Sequence, residues 1–188
     1  MKLLAIDTSS QNFSIAIYDS AQQIAYFEND EASKQAEQLI PQIEILLEKK
    51  ALKYQDLDYI AVNVGPGSFT GLRIGIAAAK GFALALPHLK TIAVTALEAT
   101  AFAKDGGQIF LDARRGQAYT QEFDANSRPL SEPRLVDYEG DFDEFPNADL
   151  IAQLALQKIG KSDIKSELSP LYIRKPDAKL PKNSATNG

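Results

Sequence analysis

The stretch from Val64 to Ala83 constrains this chain most, because it joins a strand-like run to a helix that has apolar residues on both faces. Upstream, Tyr59-Ile60-Ala61-Val62-Asn63-Val64 is short, apolar and β-branched, as a central strand is. Gly65-Pro66-Gly67 breaks it, Ser68 or Thr70 supplies an N-cap oxygen, and Pro87 stops the helix. At about 100° per residue, Leu72, Ile76, Ala79, Ala83 and Leu86 share one face, and Ile74, Ala78, Gly81 and Ala85 the opposite one. Only Arg73 and Lys80 mark a polar stripe between them. Such a helix needs cover on both sides. Either it is buried within one large domain, or one of its faces docks on another protein.

A chain of 188 residues forms one large domain or two small ones and buries enough surface to fold without staples. The absence of cysteine removes disulfides, thiolate metal sites and thiol catalysis together, and suits a reducing cytoplasm. An acid already stands at Asp7, so the first residues read neither as a signal sequence nor as a membrane span. The apolar run over residues 71–86 contains two cations and is too short to cross a bilayer. These features predict a soluble intracellular protein. Net charge is −5, the wrong sign for a chain that grips a nucleic-acid backbone alone. If RNA is involved, another subunit should supply the basic surface.

Residues 3–6, 13–18 and 23–27 read as a three-stranded meander with polar turns between them. Over residues 33–52, Ala36, Leu39, Ile40, Ile43, Leu46 and Leu47 recur at helical spacing, with Pro41 inside as a kink. A strand at 59–64, the Gly/Ala helix, a strand at 91–94 and a helix at 97–104 follow; Thr95 and Glu98 have the spacing of a capping box. The first half is therefore βββαβαβα. The second half echoes it at an offset of 105 residues: Ile6-Asp7 aligns with Leu111-Asp112, and Tyr18-Asp19 with Phe123-Asp124. A duplicated βββαβα unit is the layout of the two-lobed actin, sugar-kinase and Hsp70 class of α/β folds. The second copy is eroded: a strand at 130–136, the acidic loop 137–144 and one helix from about 147 to 159. This divides the chain into an N-terminal lobe (1–106), a shortened C-terminal lobe (107–174) and a polar tail (175–188).

Asp7-Thr8-Ser9-Ser10 offers a carboxylate, hydroxyls and amides in a tight turn, which can hold phosphate or a magnesium water shell or can simply join two strands. Gly65 to Gly71 precedes a helix N-terminus, where anions bind, yet it has neither the Walker nor the dinucleotide spacing. Asp7, Thr8, Ser9, Gly65, Gly67 and Ser68 are thus the candidate nucleotide-facing residues. His88 is the single histidine and lies after Pro87, which leaves a two-histidine metal site or a Ser-His-Asp triad without support. Asp112-Ala113-Arg114-Arg115-Gly116 places two cations in a turn, for a phosphate, a partner carboxylate or solvent. No nucleophile and base stand out. That combination fits a non-catalytic member of an enzyme fold.

With these residues in view, the chain resembles the TsaB/YeaZ family, bacterial subunits needed to make threonylcarbamoyladenosine in tRNA. The resemblance runs through Leu4-Ala5-Ile6-Asp7-Thr8-Ser9, Gly65-Pro66-Gly67-Ser68-Phe69-Thr70-Gly71-Leu72-Arg73-Ile74-Gly75, Asp112-Ala113-Arg114-Arg115-Gly116 and Pro170-Leu171-Tyr172-Ile173-Arg174. It implies a non-catalytic scaffold that binds the transferase TsaD, enables association of the ATPase TsaE, and serves adenosine in tRNAs that read ANN codons. It implies no cofactor of the chain's own, ATP and metal being used by the partners, and a homodimer when TsaD is missing. TsaD carries a metal-binding His-x-x-x-His where this chain has Ser33-Lys34-Gln35-Ala36-Glu37, so metal-dependent catalysis does not carry over. The implied partner surface lies on the two N-terminal-lobe helices, with Leu39, Ile43, Leu46, Leu72, Ile76, Ala79 and Ala83 as its residues. An independent glycopeptidase or other hydrolase of the same fold is the alternative.

Overall fold

The computed structural model describes residues 1–10, 12–29, 34–161 and 164–174. Strands β1 (Lys2–Asp7), β2 (Phe13–Asp19) and β3 (Gln22–Asn29) form the expected meander, followed by α1 (Gln35–Lys49) and β4 (Tyr59–Asn63). Then come α2 (Phe69–Ala85), β5 (Lys90–Val94) and α3 (Ala96–Ala103). They build one sheet in the order β3-β2-β1-β4-β5, with β1 antiparallel to β2 and parallel to β4. Because side chains alternate across a strand, β1 serves two cores at once. Leu4 and Ile6 join Ile15, Ile17, Ile60 and Val62 under α1 and α2, whereas Leu3 and Ala5 join Ala16, Ala61 and Ile92 on the other face.

That other face is covered by a helix from the far end of the chain. After β6 (Gly107–Asp112), β7 (Gln117–Phe123) and β8 (Arg134–Asp137), α4 (Ala148–Gly160) returns to the five-stranded sheet and sets Ile151, Ala152, Leu154 and Ala155 against it. Residues 107–174, the expected C-terminal lobe, thus supply α4 as cover for the first sheet. The small antiparallel sheet β6-β7-β8 rests instead on α3, through Ile109, Leu111 and Phe123 against Ala96, Leu97 and Ala101. Both capping expectations hold. Thr95 Oγ1 accepts from Glu98 N at 3.0 Å and Glu98 returns the bond to Thr95 N at 3.1 Å, while Lys158 of α4 donates to the same carboxylate at 3.0 Å.

The strand expected over residues 130–136 shrinks to β8, since Pro133 has no N–H to give the ladder and Leu130 turns outward. The helix expected over residues 33–52 spans only Gln35–Lys49; Ser33 and the tail at 175–188 lie outside the described residues. Residues 164–174 run as a strap over both sheets. Lys165 O accepts from Ala93 N, Leu168 enters the main core, Leu171 N donates to Val64 O, and Arg174 Nη2 donates to Ala113 O.

Asn147 caps α4, its Oδ1 accepting from Leu150 N at 3.1 Å, and Ala148 N donates to Ser14 Oγ on β2 at 2.7 Å. Asn147→Ala is expected to cost about 1 kcal/mol, the usual worth of such a cap. Thermal denaturation checks it; an unchanged midpoint would show that α4 is held by its apolar face alone.

Candidate functional site

The turn after β1 and the start of α2 are built against each other. Ser68 caps α2 by accepting from Gly71 N at 3.2 Å, while its own N–H donates to Ser9 O at 2.6 Å. Thr8 Oγ1 donates to Gly71 O at 2.7 Å. The approach is so close that a Cβ on Gly71 would stand 1.8 Å from Thr8 O, and one on Gly75 2.5 Å from Thr8 Oγ1. The glycines thus let a helix lie directly on a turn.

Behind that contact sits Asp7, 1% exposed. Its Oδ1 accepts from Ser9 N at 2.8 Å and Asn63 Nδ2 at 3.2 Å, and its Oδ2 has no hydrogen-bond partner among the described residues. Burial pushes the carboxyl up to about 6, with the bonds from Ser9 and Asn63 pulling the other way. Asn63 also donates to Ser9 Oγ at 2.9 Å and accepts from Gly65 N at 2.9 Å, so one side chain ties the β1 turn to the glycine-rich turn.

A cleft of about 980 Å³ opens in front of this assembly, between the β1 turn, the start of α2, the β6–β7 turn and the segment 143–147. Of the six candidate nucleotide-facing residues, Ser9, Gly67 and Ser68 line it, whereas Asp7, Thr8 and Gly65 lie behind and hold the turns together. Among the described residues, four carboxylates, Glu28, Asp112, Asp143 and Glu144, line it with one cation, Arg114. That balance disfavours a polyphosphate.

The residues expected at the partner surface lie elsewhere than expected. Leu39, Ile43, Leu46, Leu72, Ile76 and Ala79 are buried under the five-stranded sheet, with Ala79 wholly inaccessible; only Ala83 is half-buried. The physical reason is that α1 and α2 each have one strongly apolar face, and the sheet takes it. The opposite side of α2 is what solvent meets: Phe69, Arg73, Ala77, Lys80, Gly81 and Leu84, the last 86% exposed. Beside it α1 exposes Ile40 and Ile45 among Glu37, Glu44 and Glu48. Sequence reasoning passed over Leu84 because it fell on neither face drawn for the helix. It also passed over a stack at the start of α2, where the Arg73 guanidinium lies 3.7 Å over Phe69, and Tyr172 from the strap packs on the same ring with centroids 5.2 Å apart. The i, i+4 spacing of Phe69 and Arg73 was the available signal.

The family model of TsaD, tRNA N6-adenosine threonylcarbamoyltransferase, matches residues 29–166, more than half of the chain. The chain belongs to this family. Within the family it is similar to members named TsaB and YeaZ. The tRNA threonylcarbamoyladenosine biosynthesis protein TsaB of Bacillus subtilis (strain 168) is 39% identical over 127 residues, covering 64% of this chain and 54% of that protein. Its counterpart of the same name in Escherichia coli (strain K12) is 33% identical over 128 residues, covering 65% and 55%. The chain therefore spans little more than half the length of these curated relatives. Among solved structures, YeaZ from Pseudomonas aeruginosa superimposes with a TM-score of 0.77 at 21% identity, over 91% of this chain and 99% of that one. The fold is the two-sheet α/β architecture expected from the duplicated pattern.

Proposed function

We propose that this chain is a non-catalytic subunit of the cytoplasmic machinery that places threonylcarbamoyl on tRNA adenosine. It binds the transferase TsaD through the outer faces of α1 and α2 and enables TsaE to join. The names of the relatives support the pathway, and the bare side of α2 carries the partner reading. A leucine 86% exposed, flanked by Ala77, Gly81 and Ala85, is a surface built for close contact. Charge supports a paired-helix arrangement: α2 contributes Arg73 and Lys80 to this surface, and α1 contributes Glu37, Glu44 and Glu48. The same complementarity permits a two-fold pairing of this chain with itself when TsaD is absent. The non-catalytic reading is supported by Asp7, which is turned into the fold, and by His88, which is exposed and contacts Gln55 O rather than the cleft. No helix among the described residues is long and apolar enough to cross a membrane.

Leu84→Glu is the decisive variant because it alters the surface and leaves the core alone. It is expected to weaken association with TsaD at least tenfold, about 1.4 kcal/mol, while circular dichroism and thermal midpoint stay unchanged. Titration by calorimetry reads the first and melting the second. Wild-type affinity in the variant would remove α2 from the interface. Mixing wild-type chain with TsaD, TsaE, ATP, threonine, bicarbonate and tRNA should yield modified tRNA only when the chain is present.

A further inference from the structure

The exposed residues of α2 fall into one line. Phe69, Arg73, Ala77, Lys80 and Leu84 follow one another at steps of four, four, three and four, so they run down a single stripe about 22 Å long. Phe69 and Arg73 stand at its start and Leu84 at its end, about three turns beyond Arg73. The end offers an apolar contact. The start offers a more selective one.

Arg73 is exposed, yet its side chain is restrained. The guanidinium lies 3.7 Å over the Phe69 ring, its Nε donates to Tyr172 Oη at 3.0 Å, and the rings of Phe69 and Tyr172 stand 5.2 Å apart. These contacts fix the plane of the fork. Its two terminal nitrogens make no hydrogen bond or ion pair with any described residue. A long exposed side chain loses rotamer freedom when it takes a partner, and here the stack has removed much of that freedom beforehand. What such a fork matches is a planar anion that accepts two parallel bonds. Carboxylate is favoured over a phosphate chain for two reasons. Beside α2, α1 exposes Glu37, Glu44 and Glu48, which a polyanion would meet. Lys80, the next cation on the stripe, is about 10 Å further along the helix.

We propose that Arg73 is the polar anchor of the α2 surface and takes one carboxylate from a helix of the partner, with Tyr172 as the positioning residue that holds the fork. The proposal rests on the reading above, on which the partner is TsaD. A helix laid along the stripe presents an apolar residue to Leu84 and an aspartate or glutamate to Arg73, about three turns apart on its own sequence. Leu84 then supplies contact area, and Arg73 sets the register.

The test uses the full chain and TsaD, with association and dissociation rates read by surface plasmon resonance. Arg73→Met keeps the stem on Phe69 and removes the fork; it is expected to weaken association at least tenfold, mostly by faster dissociation. Arg73→Lys keeps the charge and is expected to recover little of the loss, because a point charge does not replace the fork. Tyr172→Phe keeps the ring and removes the hydroxyl. It is expected to weaken association several-fold in the wild-type background and to add nothing to Arg73→Met, since it acts through the arginine. Thermal midpoints should stay unchanged in all three variants. Replacing chloride by inorganic phosphate at matched ionic strength should preserve the gap between wild type and Arg73→Met; its disappearance would make the fork a phosphate site and overturn the carboxylate assignment. Wild-type affinity in Arg73→Met, full rescue by lysine, or additive losses from Arg73 and Tyr172 would also overturn the proposal. If the wild-type chain does not bind TsaD, the functional reading falls and the anchor with it. If it binds, and Leu84→Glu weakens binding while Arg73→Met does not, the anchor alone falls.

Discussion

Gly71→Ala is expected to destabilise the protein by about 3 kcal/mol or more, although it adds one methyl group and raises helix propensity. The new carbon would stand 1.8 Å from the carbonyl oxygen of Thr8, a backbone atom that cannot swing aside as a side chain does. Relief requires α2 to lift from the β1 turn, breaking the bond from Thr8 Oγ1 to Gly71 O and the one from Ser68 N to Ser9 O. Overpacking on this scale costs about 1–3 kcal/mol in forgiving cores and more where backbone meets backbone. Gly81→Ala supplies the control, since a Cβ there meets nothing within 4 Å. It should stabilise by about 0.5–1 kcal/mol, the propensity gain in an exposed helix interior. In urea the Gly71 variant should lose more than about 1 M of its midpoint while the Gly81 variant gains. A Gly71→Ala protein as stable as wild type would mean that α2 is not clamped to the turn.

Asp7 should give the protein a falling stability between about pH 4 and pH 6. Its carboxyl is held protonated up to about 6 by burial, against an ordinary value of 3.8 in the unfolded chain. Within that window the native state keeps a proton that the unfolded state has lost, so stability decreases as pH rises, by about 1.4 kcal/mol per pH unit and about 3 kcal/mol in all. Below the window the contribution vanishes, and above it the full cost of a buried carboxylate remains. Asp7→Asn should flatten this part of the profile. Its offset at neutral pH is a balance: the buried charge disappears, but an amide donor stands where Oδ2 had no partner, worth about 1–3 kcal/mol of desolvation. The slope is therefore the diagnostic quantity. Urea titrations from pH 3.5 to pH 7 measure it, and identical slopes in the two proteins would show that Asp7 ionises freely in the fold.

Much of the architecture is legible in the residues because the signals are local. The strand runs of β1 to β3 and the Thr95-Glu98 box each specify their own element, and the structure places all of them within a residue or two. The paired positions Asp7 and Asp112 both end strands, as the echo between halves implied. What the sequence did not disclose is which partner each apolar face takes. Leu72, Ile76 and Ala79 were equally suited to a neighbouring protein or to the sheet, and only topology assigns them to the sheet. The glycine-rich turn is open to two readings in a similar way. Glycines that admit a phosphate also admit a backbone carbonyl, and here Thr8 and Ser9 fill that space. The stack of Arg73, Phe69 and Tyr172 escaped notice because residues 69–73 and 172 meet only through the strap.

The return of α4 to the first sheet governs how the chain acquires its structure during synthesis. Leu3, Ala5, Ala16 and Ala61 are translated early, yet their cover, Ile151 to Ala155, is not made until most of the chain has emerged. At about 5–20 residues per second, that face waits for several seconds on the ribosome with no partner. A nascent chain in that interval presents an apolar sheet to its surroundings and is open to non-native association until α4 arrives. A chain that stops before residue 148 lacks the cover of that face and leaves Leu3, Ala5, Ala16 and Ala61 open on that side.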